Sequence, residues 1–135
     1  MYSHVLIGVD LDHEELVSGK IELARRLLAD GGKITLFTVL EDVPGFVAEF
    51  VDMKGDNHLT VKVRDKLTEL TGGDPAIGVA IGKGKAGVQI PFYAEEQGVD
   101  LIVVGSHHPT ATDYFLGSTA SRIARRADCA VLIVR

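Results

Sequence analysis

The chain has 135 residues, 46% of them apolar and 24% charged, and a formal net charge of −5. That length supports one domain around one core and excludes two. The acidic balance argues against a nucleic-acid partner bound through phosphate neutralisation. Cys129 is the only cysteine, so an internal disulfide and a cysteine-rich metal site are both excluded. The sequence shows no basic leader with a long apolar segment and no membrane-length apolar run, so the expectation is a cytoplasmic protein with no membrane partner.

Apolar runs and helical periodicities alternate along the chain. His4 to Val9 is nearly unbroken in apolar residues, the mark of a strand buried on both faces. Leu16, Val17, Ile21, Ala24, Leu27 and Leu28 then recur at helical spacing, and Gly31-Gly32 supplies a stop. Lys33 to Leu40 is rich in β-branched residues and reads as the second strand. Glu41 to Gly55 is irregular around Pro44-Gly45, with Phe46, Val47, Phe50 and Val51 suggesting a short helical piece or a flap.

Asp56 or Asn57 can cap a second helix with the stripe Leu59, Val63, Leu67 and Leu70, ended by Gly72-Gly73. A third strand spans Ala76 to Ile81, and a third helix runs from Ala86 to Gln97 with a bend expected at Pro91. A fourth strand covers Asp100 to Gly105, a fourth helix Gly117 to Ala127, and a fifth strand Cys129 to Val134. The alternation predicts a parallel sheet with helices on both faces, an α/β fold in a single domain over residues 1–135. The last strand is short and apolar. At a sheet edge it would be covered by pairing with a second copy of itself; a central place is the alternative.

In such a sheet, ligands bind beyond the carboxyl ends of the strands. The segment Gly105 to Thr119 leaves one of those ends, crosses a polar loop and enters a helix at Gly117-Ser118-Thr119. Backbone N–H groups and a partial positive charge at a helix start suit a phosphate, and a glycine lets it approach closely. The plainer reading is that Ser118 or Thr119 only caps the helix. Asp10, at the end of the first strand, can accept from a ribose or an adenine amine, or it can cap the first helix.

Gly82-Lys83-Gly84-Lys85-Ala86-Gly87 spells G-x-G-x-x-G, but after the third strand and without the acidic residue that a dinucleotide loop needs downstream. It is a weak signal. His107 and His108 are adjacent instead of spaced as metal ligands, so no metal site is expected. No P-loop, hydrolase elbow or committed general base stands out, and the reading is of a binding protein and not an enzyme.

Several segments together resemble the universal stress protein family over essentially the whole chain. They are Val9-Asp10, the stretch from Gly84 through Ile90 to Ala94, Asp100 to His107, Leu116 to Ala120, and Ala130 to Arg135. The resemblance implies a five-stranded parallel sheet of order 3-2-1-4-5 and a homodimer formed through the fifth strand, here Cys129 to Val134. It also implies ATP binding through Gly-x-x-Gly followed at a set distance by Gly-[Ser/Thr]. Gly105 and Gly117-Ser118 fit that pattern; His108 replaces the second glycine, and the spacer Pro109 to Leu116 is one residue short. The loop looks like a subgroup reading G-S-H-x-P.

Carried over, Asp10 would meet the adenosine end and Val39 would line the adenine slot. Gly105, His107 and His108 would lie along the ribose and phosphates, and Gly117, Ser118 and Thr119 would take the phosphates. A divalent ion such as Mg2+ or Mn2+ would help on so acidic a protein. The implied role is in stress response or signalling. The alternatives are an interaction module of the same fold without nucleotide, and a slow ATPase or dinucleotide-dependent enzyme.

Overall fold

Val5, Leu6 and Ile7 are completely buried, and they face alternately into two separate cores. A strand so placed needs a covering layer on each side, and the rest of the chain provides both. The computed structural model describes residues 1–41, 58–106 and 116–135. Its elements are β1 (Tyr2–Gly8), a 3-10 turn (Leu11–Leu16), α1 (Val17–Leu27), β2 (Leu28–Leu40), α2 (His58–Leu70) and β3 (Ile77–Lys83), followed by α3 (Ala86–Glu96), β4 (Leu101–Gly105), α4 (Ser118–Arg126) and β5 (Ala130–Val134).

The five strands form one sheet of order β3-β2-β1-β4-β5, with every pair parallel. Val17, Ile21 and Ala24 of α1 and Val63 and Leu67 of α2 cover one face, against Val5, Ile7, Ile34, Leu36 and Val103. Ile90 and Ala94 of α3 and Ile123 of α4 cover the other, against Leu6, Phe37, Ile102 and Val104. Phe37 also stacks on Tyr93, ring centroids 4.3 Å apart. The connections leaving β1 and β4 therefore diverge to opposite faces between two adjacent strands, the arrangement that opens a crevice at the carboxyl edge. β5 lies at the sheet edge and, among the described residues, pairs with β4 alone.

One expected boundary is wrong. The first helix stops at Leu27, before the glycines, and Leu28 is already extended and paired with Tyr2. The register then slips between Tyr2 and His4, whose partners are Leu28 and Lys33. The extra residues fold back on the strand: a Cβ on Gly32 would sit 2.8 Å from Leu28 Cδ1, and Gly31 has φ +77°. Gly31-Gly32 thus makes a bulge inside β2 instead of a helix stop. Gly72 and Gly73, at φ +67° and +83°, do follow the end of α2 as expected. α3 runs through Pro91, which lies buried within it. The expected caps Asp56 and Asn57, and the piece from Phe46 to Val51, lie outside the described residues.

At the amino edge, His4 is only 5% exposed. Its Nδ1 lies 3.3 Å from the Gln97 carbonyl, which can only accept, so Nδ1 carries the proton; Nε2, 2.9 Å away, accepts from the Thr35 hydroxyl. Asp100 fastens the same corner, accepting from the Ser3 amide at 2.9 Å, the Ser3 hydroxyl at 3.1 Å and the His4 amide at 2.9 Å.

Burial pushes the His4 imidazole below its ordinary value of 6.5, and Lys33 adds to this; the Gln97 carbonyl and Asp100 oppose it. The folded chain then binds this proton less readily than the unfolded one. Stability is therefore complete above the unfolded value and falls as the pH drops through it. Urea midpoints measured from about pH 7 to about pH 5 should decline more steeply for the wild type than for His4→Gln, which does not titrate there. Parallel declines would remove His4 as the cause.

Candidate functional site

The carboxyl edge gathers most of the residues singled out in the sequence. The Val9 amide donates to the Phe37 carbonyl at 2.8 Å, and the Thr38 hydroxyl donates to the Val9 carbonyl at 2.9 Å. These bonds hold the end of β1, with Asp10, beside the end of β2, with Val39. Val39 is half-buried and packs on the core beneath α3 and α4. Gly105 ends the neighbouring β4, and the next amide, Ser106, donates to the Val134 carbonyl at 3.0 Å. Gly117 starts α4 directly above, since a Cβ there would lie 3.8 Å from the Ser106 carbonyl oxygen. Ser118 and Thr119 are exposed in the first turn of α4. His107 and His108 lie outside the described residues.

Asp10 takes the capping role. Its carboxylate accepts from the Asp12 amide at 3.0 Å and from His13 Nδ1 at 3.0 Å, while its side chain stays 62% exposed. Partial burial pushes its pKa up, but the bonds from His13 and the Asp12 amide outweigh this and hold the carboxyl below the usual carboxylate range. The group is therefore ionised at neutral pH. A carboxylate has about four acceptor positions, so capacity remains for an outside donor.

Two strand-to-helix turns compete as anion sites, and their chemistry separates them. In the Gly82–Gly87 segment the third strand runs on through Lys83, two residues past its expected end, and Gly87 is already in α3, so the turn is only Gly84-Lys85 and the glycines answer to packing. A Cβ on Gly82 would sit 2.7 Å from the Phe37 ring, one on Gly87 would sit 2.9 Å from Arg122 Cβ, and Gly84 has φ +117°. The start of α3 already holds an anion of its own, because the Ala86 amide donates to Glu41 Oε1 at 2.8 Å. The start of α4 differs: Gly117 is its cap residue, and no side chain caps it among the described residues. The first amides of a helix lack internal partners, so those of α4 face the edge where Gly105 and Asp10 emerge.

A second feature escaped the sequence reading. A cleft of about 440 Å³ opens between α1 and the carboxyl ends of β4 and β5, lined by Ser18, Lys20, Gly105 and Arg135 among others. Lys20 belongs to the buried stripe of α1 with Val17, Ile21 and Ala24, and is 6% exposed. Burial lowers its pKa and the Asp10 carboxylate opposes that. The spacing itself was the available signal: Lys20 stands one turn from both Val17 and Ala24, inside a stripe counted only for its apolar members. Among the described residues no three histidine, cysteine or acidic side chains come together as a metal site. No described helix is long and apolar enough to cross a membrane.

Comparison with known proteins places this architecture. Residues 1–135 match the universal stress protein family. Universal stress protein G of Shigella flexneri and that of Salmonella typhimurium are each 31% identical, with all of this chain aligned to all of the relative. UspA from Lactobacillus plantarum is similar in structure at a TM-score of 0.69 and 23% identity, covering 99% of this chain and 98% of that one. A universal stress protein solved in complex with cAMP gives 0.63 and 23%, covering 99% and 97%. The structural likenesses carry the sheet order, and the full-length sequence match carries the kinship: the chain belongs to the universal stress protein family.

Proposed function

We propose that this protein binds an adenine nucleotide, ATP, across the carboxyl edge between β1 and β4, and acts as a nucleotide-responsive binding protein in stress response or signalling. The observation that carries the reading is the start of α4 at Gly117, which no side chain caps among the described residues, in a fold whose other glycine-rich turn is filled by Glu41. Amides of Ser118 and Thr119, with their hydroxyls, would receive the phosphates. Asp10 would accept from the sugar or base, and Val39 would supply apolar contact to the adenine. His107 and His108 belong to the same proposal. Bound cAMP in a protein of the same fold supports an adenine nucleotide as the ligand class. A divalent ion, Mg2+ or Mn2+, would be held mainly by phosphate oxygens and water, adding positive charge against the triphosphate.

The edge position of β5 supports self-association through Cys129 to Val134, since its outer row of backbone groups has no strand partner among the described residues. Nucleotide occupancy at the neighbouring strand end would then bias the assembly. No described side chain is set up as a general base on a reacting phosphate, and the proposal is of binding without committed catalysis.

Gly117 gives a clean test. Its φ of −58° suits any residue, and among the described residues the nearest atom to an added Cβ is 3.8 Å away, so Gly117→Val should fold normally. Its bulk would occupy the cradle. Calorimetric titration with ATP should show binding by the wild type and a loss of at least about 100-fold in Gly117→Val, on the scale of two or more charged hydrogen bonds. Equal affinities would refute the site.

Asp10→Ala should both lower stability, by about 1 kcal/mol for a lost cap, and weaken ATP. Asp10→Asn should recover most of the stability, because its amide oxygen still accepts from Asp12. Unchanged ATP affinity in Asp10→Ala, with the stability loss intact, would assign Asp10 to capping alone.

A further inference from the structure

A charged residue in an apolar stripe needs a physical reason. Lys20 occupies a position of α1 where alanine or leucine would pack against Val17, Ile21 and Ala24, and it is almost wholly buried. Its methylenes can lie along the core while the ammonium reaches the cleft wall. Among the described residues no ion pair holds that ammonium. Asp10 acts on it electrostatically, but no hydrogen bond joins the two among the described residues; the Asp10 oxygens accept instead from the Asp12 amide and from His13. Glu15 and Arg135 line the same cleft, so the wall carries charges of both signs around Lys20. A buried ammonium with no direct carboxylate contact among the described residues keeps part of its desolvation cost uncompensated.

The cleft meets the nucleotide edge at Gly105, which lines it and also ends β4. We infer that Lys20 is the counter-charge for a phosphate chain, held in the cleft between α1 and the ends of β4 and β5. The inference rests on the nucleotide reading for the identity of the ligand, and it divides the work at that edge. Asp10 and Val39 would recognise the nucleoside, while Lys20 would make affinity depend on the number of phosphates. A lysine suits this task because its point charge can follow a flexible anion without fixing a planar geometry.

The experiment titrates wild type, Lys20→Met and Lys20→Arg with adenosine, AMP, ADP, ATP and inorganic tripolyphosphate, and records the thermal melt of each ligand-free protein. For the wild type, affinity should rise from adenosine to ATP. Lys20→Met should weaken ATP and tripolyphosphate by about 10- to 100-fold, as for one charged hydrogen bond, and leave adenosine within about twofold. Lys20→Arg should keep part of the gain. The ligand-free melt of Lys20→Met should be unchanged or higher, because an apolar chain replaces a buried charge.

ATP bound equally by wild type and Lys20→Met overturns the role of Lys20 and leaves the nucleotide reading standing. Lys20-dependent binding of tripolyphosphate, with neither ATP nor adenosine bound, supports the anion cleft and removes the nucleotide reading. A wild type that binds none of the probes overturns both, and a lowered ligand-free melt with unchanged phosphate binding marks Lys20 as structural.

Discussion

The structure depends on the burial of β1 from both sides. Val5, Leu6 and Ile7 have no solvent contact, and the strand is hydrogen-bonded to β2 on one side and β4 on the other. Parallel neighbours can be joined only by crossovers, and a strand covered on both faces requires crossovers to both. The chain therefore sends α1 to one face after β1, and α4 to the other after β4. The crevice at the carboxyl edge is a by-product of that division. Anything the protein recognises there is positioned by the requirement to keep the central strand dry.

Electrostatics then sorts the openings along that edge. Each helix start is a cluster of unpaired N–H groups, and each can be satisfied by the protein itself or by something from outside. Glu41 satisfies α3 from the far end of β2, and Asp10 satisfies the 3-10 turn before α1. α4 begins on a glycine with no side-chain acceptor among the described residues. The contrast between two glycine-rich turns in one sheet is thus a contrast of anion supply, and backbone shape alone does not reveal it.

Most of the architecture was legible in the chain, and the failures have distinct causes. Continuous apolar runs marked the strands because a doubly covered sheet leaves no polar face to alternate with. The boundary at Leu28 was lost because that residue stands four places after Ala24, at helical spacing, while pairing with Tyr2 as strand. For Asp10 the residue type allowed a cap or a ligand contact, and the geometry shows that the cap is made. The Glu41 cap could not be read at all, since its partner Ala86 lies 45 residues away. Lys20 was hidden by counting only apolar members of a stripe that a long aliphatic stem can also join.

The bond between the Ser106 amide and the Val134 carbonyl carries the β4–β5 ladder one step past Gly105. Val134 is the last rung of the outermost strand, and Ser106 is the first residue beyond β4. A displacement of the rim of the sheet would reach the floor beneath the opening turn of α4 along this ladder, whose last step is that bond. Mechanical communication between the outer margin of the molecule and its crevice needs no long relay of side chains, because the backbone itself spans the gap.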